Sequence, residues 1–209
     1  MGVLEKIQKI SGNTYLEDNR KSGLFAGVDE AGRGPLAGRV YAAAVILDYE
    51  HLPSGIKDSK KLTASKRSIL FNEIKAQSVG WAIAYSSVEE IDEINILQAT
   101  LLAMKRAVLQ LPEVPQHIFI DGTHKPDVNY PMTCLVKGDE KLNCVSAASI
   151  LAKHARDEYM IDCDKKYPVY QFAKHKGYPT KEHIQALSEY GPCEFHRKTF
   201  NPVRNFLNI

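Results

Sequence analysis

The chain has 209 residues, of which 44% are hydrophobic and 25% charged, a balance typical of a globular domain rather than a disordered or fibrous chain. Its 27 basic residues nearly balance 25 acidic ones, leaving a formal net charge of +2, so overall charge does not indicate a nucleic-acid partner. No apolar stretch is long enough to span a membrane, and the first ten residues are amphipathic and charged, unlike a secretion signal. We therefore expect a cytoplasmic protein without membrane contact, with reduced thiols at its four widely spaced cysteines.

Hydrophobic periodicity and turn residues predict strands and helices in chain order. After an N-terminal helical segment, predicted strands cover 24–28, 40–47, 80–86, 117–121 and 131–136. Predicted helices are one capped by Thr63, then 88–109, 144–165 and 180–190. Because the early strands follow one another and the later ones alternate with helices, we predict an α/β fold with a mixed sheet and a helical C-terminal part.

Acidic residues follow the apolar strands. Asp29 and Glu30 stand where the first strand enters the glycine-rich turn AGRGPLAG, Asp121 ends the fourth strand, and Asp139 follows the fifth. We expect Asp29 and Glu30 to be accessible rather than buried. We also expect the four carboxylates to converge, since loops at one set of strand ends meet at a crevice. Converging acids repel one another unless a hard divalent cation neutralises them. Oxygen-only ligands favour Mg²⁺ or Mn²⁺ over zinc, although solvated turn residues are the alternative.

Such a site predicts hydrolysis of a phosphodiester. Two divalent ions about 4 Å apart can activate a water molecule and stabilise the leaving oxygen. The spacing alone shows acids at strand ends, and their convergence is an inference from the fold class.

The turn Gly32-Arg33-Gly34 has two glycines that let the backbone approach a ligand, while Arg33 offers a planar donor. It is not a phosphate-binding P-loop, because the lysine and the hydroxyl residue that should follow are missing. The alternative is an ordinary glycine-rich strand connection.

Two further segments are candidates for binding a phosphate backbone. Ser59 and Lys60 precede a predicted helix, and the alternative there is a solvated loop. Ser146, Ser149 and Lys153 fall three and four residues apart and so share one helical stripe. A packing face of small residues would give the same pattern.

Tyr178 lies among lysines in the segment KHKGYPTK, just ahead of a predicted helix. An exposed tyrosine among cations can stack on a sugar or a base while the lysines contact phosphates. The alternative is a basic loop whose tyrosine packs on the protein surface.

Seven segments together resemble ribonuclease HII in order and separation, over roughly Gly27 to Arg204. They are GVDEAGRGPLAG, KDSKKL, FIDG, KGDE, VSAASILAKHARD, HKGYPTKEH and GPCEFHRKTFNPVR. The resemblance implies a ribonuclease H-like mixed five-stranded sheet flanked by helices. It also implies a division into an N-terminal helical segment (1–22), a catalytic domain (23–167) and a C-terminal helical substrate-binding extension (168–209).

The activity that this resemblance implies is endonucleolytic. Such an enzyme hydrolyses the RNA strand of RNA–DNA hybrids and incises at single ribonucleotides in duplex DNA, leaving 5′-phosphate and 3′-hydroxyl ends, with roles in ribonucleotide excision repair and DNA replication. The cofactor is Mn²⁺ or Mg²⁺, the partners are these duplexes, and we expect a monomer.

The family's four metal-binding acids correspond to Asp29, Glu30, Asp121 and Asp139. Asp157 competes for the fourth place, but it lies a helix length from the strand ends, and we prefer Asp139.

The substrate-binding residues of the family map onto several positions of this chain. The turn Gly32, Arg33, Gly34 corresponds to the one that senses the ribose 2′-hydroxyl through its backbone, and Tyr178 to the tyrosine that stacks on the deoxyribose beside the cut. Together they would select an RNA-to-DNA junction. Candidate phosphate contacts are Ser59, Lys60, Ser146, Ser149 and Lys153.

Other functions compete with this interpretation. Ribonuclease HIII shares the core but adds an N-terminal domain, for which about two dozen residues before the first strand leave no room. Another two-metal nuclease, such as a proofreading-type exonuclease, would need a free strand end, and a non-catalytic nucleic-acid-binding module would not need the acids. The family's clamp-binding peptide is not recognisable in the final NPVRNFLNI, which leaves binding of a sliding clamp open.

Overall fold

The computed structural model describes residues 23–56 and 62–207. Within these residues, five strands form one mixed sheet in the order β3-β2-β1-β4-β5. The strands are β1 (Phe25–Ala31), β2 (Val40–Leu47), β3 (Ser78–Ser86), β4 (His117–Asp121) and β5 (Met132–Leu135). The predicted N-terminal helical segment (1–22), Ser59 and Lys60 lie outside the described residues.

Helices surround this sheet. They are α1 (Ala64–Gln77), α2 (Val88–Leu109), α3 (Gly138–Lys141), α4 (Asn143–Lys166), α5 (Phe172–His175) and α6 (Lys181–Tyr190), with 3-10 turns at Pro168–Tyr170 and Val203–Phe206. The predicted α/β class and the mixed five-stranded sheet are confirmed. Thr63 caps α1 as predicted, since its side chain accepts a hydrogen bond from the Lys66 N–H. The short helices α3 and α5 are not predicted by the sequence pattern.

The central strand β1 determines how the sheet is assembled. It pairs antiparallel with β2 and parallel with β4, and β4 pairs parallel with β5. Every residue of β2 is buried, because an interior strand covered on both faces needs apolar side chains on both. One face packs against α1 and α4, and the other against α2.

Helix α2 bends at Asn95, whose φ of 66° and ψ of 164° are not helical. The Asn95 side-chain oxygen accepts hydrogen bonds from the N–H groups of Leu97 and Gln98, at 3.0 and 3.2 Å. Asn95 therefore acts as an internal N-cap that restarts the helix. The bend lets Ile91 and Ala99, on either side of it, share a core cluster with Val40.

The C-terminal part packs on the end of α4. Met160 and Cys163 of α4 share a buried cluster with Tyr170, Phe172 and Ala186. The four cysteines are all free thiols, as predicted. No helix among residues 23–56 and 62–207 is long and apolar enough to cross a membrane.

Candidate active site

Sheet register brings Asp29 and Asp121 together. The last paired residues of β1 and β4 are Val28 and Ile120, so the next residue on each strand is an aspartate. Side chains alternate between the two faces of a strand, which turns both aspartates away from the face of Val28 and Ile120 and towards α4. Two residues distant in sequence thus meet at one sheet edge.

The N-terminal part of α4 crosses β1 at very short range. A Cβ atom on Gly27 would lie 2.1 Å from the carbonyl carbon of Cys144, so only glycine permits this packing. The approach places Ser149, on the second turn of α4, beside β1, where its hydroxyl hydrogen-bonds the Asp29 carboxylate.

Asp29 and Glu30 lie within the end of β1, which runs three residues beyond its predicted end. The expectation that these acids are exposed is wrong for Asp29, whose exposed fraction is only 5%. Burial, followed by repulsion from Glu30 and Asp121, raises the pKa of Asp29 well above its ordinary value, against the lowering effect of the Ser149 hydrogen bond. Burial also raises the pKa of Glu30, while Arg33 lowers it.

Asp139 joins this region through α3. The Gly138 N–H donates a 2.6 Å hydrogen bond to Asp121 Oδ1, which ties the start of α3 to the end of β4. Asp139 follows directly and is also only 5% exposed. The structure thus brings Asp29, Glu30 and Asp121 into electrostatic range of one another. Asp139 directly follows Gly138, which hydrogen-bonds Asp121.

The side chains do not yet form a coordination shell. In the described part of the chain, no three His, Cys, Asp or Glu side chains are grouped closely enough to hold a metal ion. Asp29 accepts from Ser149 and from the Glu30 N–H, Asp121 accepts from Gly138, and Glu30 lies 3.5 Å from Arg33. The donor set nevertheless fits a hard divalent cation, because it is made of carboxylate oxygens whose burial and mutual repulsion call for positive charge.

Asp157 has a different environment. Its two oxygens each lie 2.6 Å from a cation, Arg67 Nη1 on one side and Lys153 Nζ on the other. The carboxylate is neutralised by protein cations, as in a structural ion-pair network. This arrangement favours Asp139 over Asp157 as the fourth acid.

A cleft of about 390 Å³ connects Glu30 with the glycine-rich turn. Its lining includes Glu30, Gly32, Arg33, Gly34, Arg67, Ser149, Lys153 and Tyr178. Tyr178 is 45% exposed, and the Arg33 side chain is 47% exposed, so a flat ring and a cation are available to a ligand. One concavity thus gathers most of the predicted substrate-binding residues.

Ser146 is an exception. The prediction that it shares an accessible stripe with Ser149 and Lys153 is wrong, because Ser146 is buried and its hydroxyl donates to the Ile56 carbonyl. Its position matches the alternative, a packing face of small residues. Arg67 is the opposite case: it lines the cleft, but nothing in the local sequence distinguishes it from the other basic residues of α1.

Comparison with known proteins gives one family. A family model described as Ribonuclease HII matches residues 26–203. A protein named ribonuclease HII from Caldicellulosiruptor saccharolyticus is 50% identical over 207 residues, which cover 99% of this chain and 98% of the relative. Another, from Nitrosococcus oceani, is 54% identical over 182 residues, covering 87% of this chain and 90% of the relative.

Solved structures show the same fold. Ribonuclease H2 from Pyrococcus horikoshii OT3 is similar with a TM-score of 0.74 and 28% identity, covering 87% of this chain and 96% of that one. Ribonuclease HII of Archaeoglobus fulgidus, solved in complex with PCNA, gives 0.69 and 26%, over 85% and 95%. Bst-RNase HIII in complex with Mn²⁺ gives 0.72 at 19% identity, over 98% and 80%, a likeness of fold alone.

Proposed function

Because the chain belongs to the ribonuclease HII family, we propose that it cuts beside single ribonucleotides embedded in duplex DNA, in addition to cutting RNA strands. The coarser activity follows from the family itself: the protein is a ribonuclease H, an enzyme that acts on RNA–DNA hybrids. The proposal concerns the substrate junction, the cations and the residues responsible.

Asp29, Glu30, Asp121 and Asp139 are the residues that would hold divalent cations. When bound, two such ions supply an activated water molecule and stabilisation of the leaving oxygen, yielding a 5′-phosphate and a 3′-hydroxyl. The carboxylates provide the negative charge that retains the ions, and the Ser149 hydroxyl orients Asp29. Mn²⁺ and Mg²⁺ both suit an oxygen-only site, and Mn²⁺ is the ion in the Bst-RNase HIII structure.

One observation carries the junction specificity: the turn Gly32–Gly34 and Tyr178 line the same cleft as Glu30. A 2′-hydroxyl both donates and accepts hydrogen bonds, so polar backbone groups can recognise it, whereas a flat ring packs best on a sugar that lacks it. A ribose against the turn and a deoxyribose against Tyr178 define an RNA-to-DNA step. Arg33, Arg67, Ser149 and Lys153 supply hydrogen bonds and positive charge for the phosphates, together with Ser59 and Lys60 of the segment outside the described residues.

Asp29→Asn tests the catalytic role of the acids. The substitution keeps the shape but removes a charge that cations require, so we expect cleavage to fall by at least about 10³-fold while duplex binding, measured without cleavage by fluorescence anisotropy, stays within about threefold. Asp127→Asn is the matched control, because Asp127 is an exposed partner of Lys105 and does not line the cleft. Undiminished cleavage by the Asp29 variant would exclude the metal mechanism.

The choice of substrate separates the competing functions. A covalently closed circular duplex with one ribonucleotide should be nicked in Mg²⁺ or Mn²⁺ and left intact with chelator. A proofreading-type exonuclease cannot begin on a circle, and a binding module would retain the circle without nicking it. An enzyme with ribonuclease HIII-like specificity would cut a long hybrid but leave the single ribonucleotide.

The Archaeoglobus fulgidus relative was solved with PCNA, so a sliding clamp belongs among the partners to be tested. The measurement is a direct titration of this chain with a clamp. Saturable binding would add a protein partner beyond the duplex. Absence of binding would exclude the clamp and leave nucleic acid as the proposed partner.

A further inference from the structure

The segment 193–197 joins the two parts of the cleft that contact sugars. The Gly38 N–H donates to the Phe195 carbonyl at 2.8 Å, and the Arg197 N–H donates to the Leu36 carbonyl at 2.9 Å. Leu36 in turn donates to the Gly177 carbonyl at 2.8 Å. The glycine-rich turn, the Tyr178 loop and this C-terminal segment are therefore one interlocked backbone assembly.

Arg197 is completely buried and uses its guanidinium on carbonyls of the turn. Nη1 donates to Arg33 and Pro35 at 3.0 and 2.8 Å, Nη2 donates to Gly32, and Nε donates to Gly38 at 2.9 Å. Burial lowers its pKa to about 9, so it is still a cation at neutral pH. Burying a cation is costly, and here all the hydrogen-bond partners of the guanidinium are backbone carbonyl oxygens.

This contact fixes the direction of two peptide N–H groups. In a planar trans peptide, the C=O and the following N–H point in opposite directions. Because the Gly32 and Arg33 carbonyls point at Arg197, the N–H groups of Arg33 and Gly34 point away from it. Arg33 and Gly34 line the cleft, where an N–H can donate to a sugar oxygen.

His196 acts on the Tyr178 side of the cleft through a second histidine, His183. The Cys193 N–H donates to His196 Nδ1 at 3.0 Å, so the proton of the neutral ring is on Nε2. That proton is donated to His183 Nε2 at 3.0 Å, which leaves the His183 proton on Nδ1, 2.9 Å from the Tyr178 carbonyl.

Only the neutral rings allow this arrangement. Burial lowers the pKa of His196 to about 3 and that of His183 to about 4, so neither ring carries a second proton at neutral pH. The chain of donors from Cys193 to Tyr178 therefore has a single direction, and it ends on the backbone of the residue whose ring faces the cleft.

We propose that His196 and Arg197 are positioning residues for sugar discrimination: Arg197 aims the N–H groups of the Gly32–Gly34 turn, and His196, through His183, sets the backbone of Tyr178. This inference rests on the proposed junction specificity. Two adjacent residues outside the cleft thereby set both sides of the sugar-reading site.

The His196 half is tested by a double-mutant cycle. The measured quantity is the ratio of kcat/KM on a single embedded ribonucleotide to kcat/KM on a long hybrid. We expect His196→Leu to reduce this ratio by about fivefold or more. His196→Gln retains a hydrogen-bond donor and should keep most of the wild-type ratio. When His196→Leu is added to Tyr178→Ala, the ratio should fall by no more than about twofold below that of Tyr178→Ala alone, because both changes remove the same function. Multiplied effects would show a purely structural role and overturn this half.

The Arg197 half is tested by the sugar itself. Arg197→Lys keeps a buried cation, but an ammonium group cannot hold the five carbonyls that the guanidinium holds. The variant should therefore lower the preference for a ribose over a 2′-fluoro sugar at the cut site by about fivefold or more. Arg197→Met is the second variant if the lysine variant does not unfold cooperatively. Tyr170→Phe is the matched control, since it loses one partly buried hydrogen bond, to the Gly191 carbonyl, in the same region. Its preference for a single ribonucleotide over a long hybrid and its preference for ribose over a 2′-fluoro sugar should both be unchanged. A preference altered equally in this control would overturn the proposal.

Amide hydrogen exchange separates this inference from the proposed function. The N–H groups of Gly177 and Thr180, which hydrogen-bond within the Tyr178 loop, should exchange at least about tenfold faster in His196→Leu than in Tyr170→Phe. Equal exchange would overturn the positioning role, whatever the substrate preference. A wild-type enzyme that does not nick a single ribonucleotide would instead overturn the junction specificity on which the inference rests.

Discussion

Gly32 and Gly34 belong to the same turn but are glycines for different reasons. Gly32 has a φ of +104°, and a Cβ there would lie 2.1 Å from Arg156 Nε, so the fold itself requires glycine. A Cβ on Gly34 would meet only the Tyr178 ring, at an ordinary 3.6 Å. Since the fold leaves room for a methyl group at position 34, the close approach of a ligand is the better explanation for this glycine.

Gly34→Ala should therefore separate stability from activity. We expect the free energy of unfolding to change by less than about 0.5 kcal/mol, while cleavage at a single ribonucleotide falls at least about tenfold, because the added methyl group faces the cleft. Urea unfolding and steady-state kinetics check the two effects. Gly32→Ala is the comparison and should lose stability; full activity of the Gly34 variant would argue against contact with substrate.

Tyr178→Ala addresses the opposite side of the cleft. Loss of stacking on a sugar or base costs about 1 to 3 kcal/mol, and it should affect cutting at single ribonucleotides more than cutting in long RNA runs, where no deoxyribose lies beside the cut. Parallel kcat/KM measurements on both duplexes check this. An equal loss on both would contradict junction sensing.

At the residue scale, the sequence predicted which residues gather but not how they are held. Acids at apolar strand ends indicated the site, yet the burial of Asp29 depends on α4, which begins more than a hundred residues later. Ser146 and Ser149 are chemically identical in the sequence. Only the position of Ile56, whose carbonyl accepts the hydrogen bond of the Ser146 hydroxyl, distinguishes them.

At the scale of elements, α2 shows what periodicity captures and what it misses. Its ends at Val88 and Leu109 are as predicted, because the apolar spacing is continuous across both halves. The bend at Asn95 leaves that spacing intact, so the pattern contains no break. The φ and ψ of Asn95 fall in a region that residues other than glycine rarely occupy, and the capping hydrogen bonds of its side chain offset that backbone strain.

Substitutions at Asn95 should reveal both contributions. Asn95→Ala loses the cap and keeps the strained backbone, so we expect about 1 to 2 kcal/mol of destabilisation. Asn95→Gly loses the cap but relieves the strain, and should cost less. Denaturant unfolding of the two variants gives the comparison; an alanine variant as stable as the glycine variant would show that the backbone at this bend is unstrained.

At the scale of the whole molecule, the sheet was predictable because each strand is a separate apolar run with clear turns. The assembly around the cleft was not. Arg156 and Arg197 donate to carbonyls more than a hundred residues away, and His183 and His196 hydrogen-bond each other in the interior. A basic or imidazole side chain in a sequence is most often at the surface. Nothing local marks these four as interior.

The buried histidines predict an acid-sensitive fold. Unfolded histidine titrates near pH 6.5, whereas burial lowers the folded pKa of His183 to about 4 and that of His196 to about 3. Between these values the unfolded chain binds more protons, so the free energy of unfolding falls as pH drops below 6.5. Each histidine contributes up to about 1.4 kcal/mol per pH unit.

His196→Gln isolates one of these contributions. Between pH 6.5 and 5.5, wild-type stability should fall by about 1 kcal/mol more than that of the variant, as measured by urea unfolding. The raised pKa values of Asp29 and Glu30 act in the opposite direction but are common to both proteins. Identical slopes would show that His196 does not remain neutral in the folded state.

The hydrogen bonds between Arg197 and the turn have a consequence for the newborn chain. The donor and the Gly32 carbonyl are 165 positions apart, so a ribosome makes the turn long before it makes the residue that supports it. A partly made polypeptide contains Asp29 and Glu30 without the guanidinium that shapes the neighbouring loop. Until Arg197 has been made and folded in, the turn lacks the contacts that direct its N–H groups, so the acids are present in the nascent chain before the site can read a sugar.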